Sequence, residues 1–235
     1  MTGFLTPIVV VSAFIILFPA AIIAGLIDDS GNRVHRLGRL WARTIIRASG
    51  IKVDVEGRDN IPMERPVVFA CNHASQFDIP ILYEALPVQF RFVAKKELFK
   101  IPLLGFAMRL AGYIPIDRSG GKAALRSLQK AVGSLKMGRS IIIFPEGTRS
   151  PDGRLGPFKT GGILIAVRAG CPIVPVAISG SHNVLPKGSL RVRPGRIKVT
   201  IGPPVRTVGP KGPVHKDIVT KEVRESISSM LNGDP

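Results

Sequence analysis

Cysteine is scarce in this sequence, since the 235 residues contain only two, Cys71 and Cys171. Each borders a predicted strand, and neither belongs to a group of Cys and His residues with the spacing of a structural zinc site. We therefore expect no metal and no other cofactor, and we interpret both thiols as reduced core residues in a cytoplasmic-type compartment. A nucleophilic Cys71 is the alternative, but an apolar position at a strand end already accounts for this residue.

Acidic residues are also few: 16 Asp and Glu stand against 33 Lys and Arg, for a formal net charge of +17. This excess predicts an anionic partner, which is nucleic acid, an anionic lipid surface or a phosphorylated substrate. Hydrophobic residues make up 45% of the chain and the mean hydropathy is +0.25. Soluble nucleic-acid binders are rarely both so basic and so apolar, and no aromatic-studded basic strand or recognised nucleic-acid module is present. Composition therefore favours a membrane surface.

One long apolar segment is present, from Phe4 to Ile27. It is long enough to cross a bilayer, which takes ~20 apolar residues. A cleaved signal peptide is the rival interpretation, but no basic region precedes the segment, and Asp28-Asp29 is a poor cleavage flank. Pro19 is expected to kink a single span. A bent hairpin, formed with the next helix and half immersed in the bilayer, is therefore an alternative to a full crossing.

The next helix, predicted from Asn32 to Ser49, has two different faces. A basic face opposite an apolar face bearing Trp is typical of a helix at an anionic lipid interface. The alternative is a surface helix whose apolar face packs on the core. Excess arginine also predicts that this side of the membrane is cytoplasmic. The basic face holds Arg33, Arg36, Arg39, Arg43 and Arg47, and the apolar face holds Val34, Leu37, Trp41 and Ile45.

Strands and helices alternate from residue 51 onward, without an internal repeat. This order predicts an α/β fold with a mixed, partly parallel sheet flanked by helices. We divide the chain into membrane-anchoring helices at 1–50 and an α/β domain at 51–235. Within that domain we predict a mostly apolar helix from Glu97 to Ala111, with Pro102 in its first turn or breaking it, and a Pro/Gly-rich loop from Pro203 to Pro213.

The stretch from Asn72 to Asp78 offers one imidazole and one carboxylate, directly after a β-rich apolar run. On a continuous helix, the side chains of His73 and Asp78 would point away from each other. They can meet where the chain bends, with His73 at a strand end and Asp78 as the N-cap of a helix. Such a pair can activate a hydroxyl, because the carboxylate orients the imidazole that takes the proton. The alternative is a loop histidine beside an ordinary helix cap.

A second polar stretch, Phe144 to Ser150, ends another predicted strand with Gly147, Thr148 and Arg149. Glycine allows close approach of a ligand to the backbone, and the planar fork of arginine matches phosphate oxygens. A structural alternative for Arg149 is a salt bridge to Glu146 or Asp152.

Other cations are available to the same anion. Arg118 offers a second fork, although an ion pair with Asp117 is the alternative for it. A diffuse positive field is expected from Lys95, Lys96 and Lys159.

Four stretches together resemble the 1-acylglycerol-3-phosphate (lysophosphatidic acid) acyltransferases, a family of glycerolipid acyltransferases. That family carries N-H-x-x-x-x-D, G-x-I-x-I-D-R-like, F-P-E-G-T-R-S and V-P-V-A-I blocks in this order. Here the blocks begin at Asn72, Gly112, Phe144 and Val174, and the resemblance covers roughly residues 65 to 185. The third block is highly specific. Two departures are Ala74, where the family often has Gln, and Pro115, which interrupts the strand of the second block.

The resemblance implies a role for each matching residue. His73 is the base that deprotonates the acceptor hydroxyl, and Asp78 orients it. A pocket for the phosphate of the acceptor is formed by Arg118, Glu146, Gly147, Thr148 and Arg149. The donor is an acyl thioester of coenzyme A or acyl carrier protein, attacked directly without an acyl-enzyme, and the chain has no G-x-S-x-G nucleophile elbow.

The expected partners are therefore anionic membrane lipids, lysophosphatidic acid and the acyl donor, with the catalytic domain on the cytoplasmic face of a membrane. Two alternatives remain open at this point. One is an acyltransferase for another lysolipid, such as a lysophosphatidylcholine or a lyso-ornithine lipid. The other is a non-catalytic, basic membrane-binding protein.

Overall fold

A seven-stranded sheet forms the centre of the computed structural model, which describes residues 5–117, 120–210 and 212–233. The strand order is β1-β7-β6-β2-β5-β3-β4, and all neighbours are parallel except β6 and β7. The predicted mixed, partly parallel sheet is confirmed. The strands are β1 (Ile51–Glu56), β2 (Val68–Cys71), β3 (Phe90–Lys95), β4 (Ile114–Ile116), β5 (Ser140–Ile143), β6 (Ile173–Ser179) and β7 (Gly195–Ile201).

Helices cover both faces of the sheet. Alternate residues of β2 show this, since Phe69 and Cys71 belong to one apolar core while Val68 and Ala70 belong to the other. The helices are α1 (Thr6–Ile27), α2 (Asn32–Ala48), α3 (Asp78–Ala85), α4 (Leu104–Leu110), α5 (Gly121–Lys136), α6 (Thr160–Ala169), α7 (Ser181–Val184) and α8 (Lys216–Asn232). The first core receives α2 and α3, and the second receives α5, α6 and α8.

Two predicted segments differ in the structure. The predicted helix from Glu97 to Ala111 is divided into a 3-10 turn, Lys96–Lys100, and α4, with Pro102 between them. Proline in a helix interior removes a backbone hydrogen bond and clashes with the preceding turn, which explains the break. The predicted loop from Pro203 to Pro213 contains a small antiparallel pair, β8 (Val208–Gly209) and β9 (Gly212–Pro213).

Helix α1 is long, apolar and largely exposed. It has 22 residues and a mean hydropathy of 2.7 over its most apolar window, of which 6% is buried. Among the described residues it is the one helix long and apolar enough to cross a membrane. The helix continues through Pro19 and packs against α2 and α4.

Helix α2 packs its apolar face on the protein. Val34 and Ile45 are buried, and the indole Nε1 of Trp41 donates to the carbonyl of Val10 in α1 at 3.2 Å. Arg39 departs from the predicted exposed stripe, because its guanidinium donates to the carbonyls of Leu86 and Val88, at 2.8 and 3.2 Å. The exposed cations of this helix are Arg33, Arg36, Arg43 and Arg47.

A buried arginine ties the α1–α2 turn to the sheet. Arg91 of β3 is 1% exposed, and its Nη2 donates to the carbonyl of Ser30 at 2.8 Å and to Oδ1 of Asn32 at 2.7 Å. Its Nη1 donates to the carbonyl of Phe90 at 2.8 Å. Carbonyl and amide oxygens thus accept hydrogen bonds from both terminal nitrogens of this buried cation, and the hairpin of α1 and α2 is fixed over β3.

His35 lies next to this arginine and predicts a pH-dependent stability. It is fully buried against Phe90, with ring centroids 4.5 Å apart. Burial, followed by the charges of Arg91 and Arg39, lowers the pKa of His35 from 6.5 to about 3. Below pH 6.5 the unfolded chain gains a proton here that the folded protein cannot bind. The free energy of unfolding therefore decreases as the pH is lowered, at most by about 1.4 kcal/mol per pH unit.

Denaturant unfolding in detergent between pH 7.5 and pH 5 measures this dependence. The variant His35→Phe is expected to have a smaller loss of stability across that range than the wild type. Equal pH slopes for the two proteins would contradict the assignment.

Candidate active site

Parallel strands bring three of the predicted site segments to one edge of the sheet. His73 follows β2, the stretch with Arg149 follows β5, and Lys95 ends β3. β5 pairs in parallel with both β2 and β3. The carboxyl ends of these strands therefore meet, as in other α/β sheets where ligands bind at this edge.

His73 and Asp78 meet at a bend after β2. The Nδ1 atom of His73 lies 2.8 Å from Oδ2 of Asp78, and the same oxygen accepts the backbone N–H groups of Ala74 and Ser75, each at 2.9 Å. Asp78 is fully buried and the side chain of His73 is 17% exposed. Because an ionised carboxylate can only accept, Nδ1 carries the proton and Nε2 carries the free lone pair.

The predicted N-cap role of Asp78 is wrong in detail. Asp78 is the first residue of α3, and the N-cap position is taken by Phe77. The carboxylate turns back toward the N–H groups of the bend instead of capping its own helix. The two N–H groups and the imidazole all contact Oδ2 and hold the bend in place, whereas the buried Oδ1 has no hydrogen-bond partner among the described residues.

The segment after β5 contacts a face of the imidazole ring. Its ring stacks on Phe144, with centroids 4.1 Å apart and an interplanar angle of 21°. The carbonyl of His73 accepts the N–H of Ser150 at 2.8 Å. Phe144 and Ser150 belong to the specific F-P-E-G-T-R-S stretch, so this stretch supports the imidazole as well as the expected anion site.

Glu146 supports the backbone of the site. Its Oε1 accepts the N–H of His73 at 2.7 Å and its Oε2 accepts the N–H of Gly156 at 2.9 Å. Burial raises the pKa of this carboxyl group. The sequence predicted Glu146 as part of the phosphate pocket, and the structure places its carboxylate against backbone groups behind that pocket.

Asn72 is a positioning residue that the sequence reasoning did not single out. Its side-chain amide donates to the carbonyl of Ile178 at 2.9 Å and accepts the N–H of the same residue at 2.7 Å. This pair of bonds joins the end of β2 to β6, directly before His73. The signal was available in the sequence, since Asn72 is the first residue of the N-H-x-x-x-x-D stretch.

The predicted cations lie around the same opening. Arg149, Lys95 and Lys159 line a cavity together with His73, Gly147 and Thr148. Gly147 has a φ of +76°, which the turn requires and which glycine adopts without strain.

The structural alternatives for Arg149 are not observed. Both oxygens of Glu146 accept backbone N–H groups, and Asp152 contacts Ser150 and Arg154. Among the described residues, neither carboxylate forms an ion pair with the guanidinium of Arg149. Arg149 is therefore available to an anion in the cavity.

Two further predicted cations are Arg118 and Lys96, and the structure describes only the second of them. Arg118 lies outside the described residues. Lys96 donates from Nζ to Oδ2 of Asp117 at 2.6 Å, so this lysine serves a salt bridge next to the site.

The cavity, of about 720 Å³, joins this polar end to an apolar end. Volumes of this order are typical of ligand sites. Residues of the predicted helix from Glu97 to Ala111 contribute to its lining. The sequence reasoning missed that α1 and α2 complete the walls. The apolar lining includes Phe14, Leu17, Phe18, Leu37, Trp41, Leu98, Leu104, Ala107 and Met108.

Comparisons with known proteins identify relatives of this arrangement. A family model described as Acyltransferase matches residues 52–179. A 1-acyl-sn-glycerol-3-phosphate acyltransferase of Pseudomonas aeruginosa is 39% identical over 181 residues, which cover 74% of this chain and 66% of that protein. The alpha enzyme of that name from Bos taurus is 34% identical over 219 residues, covering 92% of this chain and 76% of that protein.

A chloroplastic relative and a solved structure are also similar. The acyltransferase BAT2 of Brassica napus is 36% identical over 200 residues, covering 84% of this chain and 56% of that protein. The chain spans little more than half the length of the first plant relatives that it matches. The crystal structure of the 1-acyl-sn-glycerophosphate (LPA) acyltransferase PlsC from Thermotoga maritima has a TM-score of 0.83 and 28% identity, covering 98% of this chain and 95% of that chain.

The family match runs from β1 to the end of β6 and includes the sheet edge where His73 and Arg149 meet. Since this match spans more than half of the residues, and relatives above 30% identity cover most of the chain, the chain belongs to the acyltransferase family.

Proposed function

We propose that this protein transfers an acyl chain from an acyl thioester to the free hydroxyl of 1-acylglycerol-3-phosphate, forming phosphatidic acid. The observation that carries the proposal is the position of His73, whose imidazole lines one cavity with cations at one end and an apolar lining at the other. A lysophospholipid with an anionic head and a hydrocarbon tail matches these two ends. Relatives named 1-acyl-sn-glycerol-3-phosphate acyltransferase support the same substrate.

His73 is the proposed general base. Nε2 takes the proton from the acceptor hydroxyl as its oxygen attacks the thioester carbonyl carbon. The new C–O bond forms, the C–S bond breaks, and the proton passes from His73 to the departing thiolate. Asp78 stabilises the imidazolium that exists between these transfers, and a base positioned in this way typically contributes ~100- to 10,000-fold in rate. No acyl-enzyme and no resident cofactor are needed for this sequence of steps.

The phosphate of the acceptor is proposed to bind at Arg149 and the turn at Gly147. The guanidinium can bind two phosphate oxygens at once, and Thr148 adds a hydroxyl donor. Lys95 and Lys159 raise the positive potential of the same opening. The role of Arg118 in this pocket follows from the family resemblance alone and stays a prediction.

The test is a radiolabelled transfer assay with purified protein. Lysophosphatidic acid, lysophosphatidylcholine and lyso-ornithine lipid are compared as acceptors. Each is tested with two acyl donors, the thioester of coenzyme A and the thioester of acyl carrier protein. We expect transfer to lysophosphatidic acid to exceed transfer to the other two, because the cationic side chains of Arg149, Lys95 and Lys159 repel the cationic group of either rival head. Preference for a rival head would replace the proposed acceptor, and no transfer with any pair would favour a non-catalytic membrane-binding protein.

Membrane attachment is proposed through α1, with the exposed arginines of α2 at the cytoplasmic surface. The exposed apolar surface of α1 supports the first part. Arginine excess next to a span is typical of the cytoplasmic side, which supports the second.

Substitution of the proposed base is expected to abolish transfer without removing the protein from membranes. For His73→Ala and Asp78→Asn we expect kcat to fall at least about 100-fold. The first variant lacks the base, and in the second the imidazole is no longer held in the tautomer that leaves Nε2 free to accept a proton. His215→Ala serves as the matched control, since His215 is exposed and pairs with Asp217 away from the cavity. Retained activity in His73→Ala, with normal vesicle binding, would refute the base assignment.

Substitution of Arg149 is expected to act on the acceptor. A hydrogen bond to a charged group contributes about 1.5–3 kcal/mol, so Arg149→Gln should raise KM for lysophosphatidic acid by about 10- to 100-fold. Arg149→Lys should restore part of the loss, because it keeps the charge but not the fork. KM for the acyl donor should change less.

Arg154→Gln is the control for this prediction, because Arg154 lies in the same loop but is exposed and outside the cavity lining. An equal rise in KM for both Arg149→Gln and Arg154→Gln would show a general charge effect in place of a phosphate site.

A further inference from the structure

One exposed apolar surface lies beside the cavity. The 98–106 segment, which runs from Leu98 to Phe106, follows β3 and includes the beginning of α4, and it exposes large apolar side chains at five of its nine positions. A contiguous apolar patch of this kind on a protein surface marks an interaction site. Its exposed fractions are 38% at Leu98, 46% at Ile101, 50% at Leu103, 36% at Leu104 and 42% at Phe106.

The backbone at the tip of the segment is strained. Leu103 has φ +58° and ψ −56°, and the N–H of Leu104 donates to the carbonyl of Pro102 at 2.6 Å. This is a γ-turn with a positive φ at its central residue, a form that residues with a side chain rarely adopt. Among the described residues, Leu103 is the one non-glycine position with positive φ. The strain presents a half-exposed leucine to the outside, so internal packing does not account for it.

The patch is continuous with the exposed surface of α1. The ring of Phe106 meets Phe18 of α1 edge-on, with centroids 6.2 Å apart. At the other end of α4 the two helices are also close, because a Cβ placed on Gly25 of α1 would lie 2.6 Å from the side chain of Leu110. Whatever surrounds the exposed side of α1 therefore also meets the 98–106 segment.

Basic residues flank the patch on both sides. Lys95 and Lys100 are exposed before and within the segment, and Arg109 is exposed after it, with its Nη1 donating to the carbonyl of Phe99 at 2.7 Å. Phe99 itself is 8% exposed and anchors the segment to the protein. An apolar tip bordered by Lys and Arg matches a bilayer interface, where the acyl chains of the lipids adjoin their anionic head groups.

We propose that the 98–106 segment is a second lipid-contacting element, which inserts into the bilayer interface beside α1. The proposal rests on the proposed function in that it takes α1 to be seated in a membrane. Leu17 of α1 and Leu104 and Ala107 of the α4 region line the cavity together. The two lipid-contacting elements thus both contribute to the lining of the cavity, and its apolar end faces the layer in which a lysolipid acceptor is dissolved.

Tryptophan fluorescence with brominated lipids tests the contact in the full chain. The sequence has one tryptophan, Trp41, so Trp41→Phe gives a spectroscopic background into which single tryptophans are introduced. Ile101→Trp reports on the segment and Ile16→Trp on α1, where Ile16 is 73% exposed. Ile218→Trp is the control, because Ile218 is 60% exposed on α8, which covers the other face of the sheet.

In vesicles of phosphatidylglycerol and phosphatidylcholine, bromine on the acyl chains should quench the indoles of Ile16→Trp and Ile101→Trp, and leave that of Ile218→Trp unquenched. Quenching at position 16 without quenching at position 101 would overturn this proposal and leave α1 in the membrane. A segment that binds another protein would give that result. Absence of quenching at both positions would refute the membrane attachment itself.

Leu103→Gly separates lipid contact from stability. Glycine adopts the γ-turn without strain, so the thermal midpoint in detergent should stay equal or rise. Activity toward lysophosphatidic acid in vesicles should fall by about tenfold, the effect of removing one leucine from an apolar contact. Activity toward a short-chain, freely dissolved lysophosphatidic acid should be unchanged.

Ile218→Ser is the matched control for loss of an exposed apolar side chain, and it should leave both activities unchanged. A lower thermal midpoint in Leu103→Gly, or equal activity on vesicles, would overturn the proposal.

Discussion

The site depends on a buried carboxylate in the bend after β2. Asp78 is removed from water, and one of its oxygens accepts two backbone N–H groups and the Nδ1–H of His73, while its other oxygen has no hydrogen-bond partner among the described residues. Without these three donors, a buried charge at this position would be very costly. The bend and the orientation of the imidazole are thereby coupled, because the same carboxylate oxygen binds both. The orientation of the imidazole is thus part of the local fold.

The neighbouring strand β6 and the segment after β5 stabilise this bend from two sides. Asn72 fixes the end of β2 to β6, while Glu146 and Phe144 hold the backbone and ring of His73 from the segment after β5. A parallel sheet makes this convergence natural, because the ends of β2, β5 and β6 lie side by side. Glu146 thereby acts on His73 through the backbone, and Arg149 is left available to an anion.

The N-terminal helices belong to the same cavity as the sheet edge. Ile45 of α2 lies in the core with the strands, and Arg91 of β3 binds the turn between α1 and α2. The boundary that composition suggests near residue 50 is therefore crossed by both the packing and the cavity. From the polar end, the apolar lining of the cavity leads to helices whose outer surface is also apolar.

The sequence by itself determined the alternation of strands and helices, the need for a bend between His73 and Asp78, and the glycine turn before Arg149. These features depend on local periodicity, spacing and backbone preference, which a short stretch of chain contains. Only the tertiary structure decided that Glu146 faces backbone groups, that Arg39 leaves the basic stripe, and that α1 and α2 wall the cavity. Such features depend on which distant segments approach one another, and that is settled by burial and by the satisfaction of buried polar groups over the whole chain.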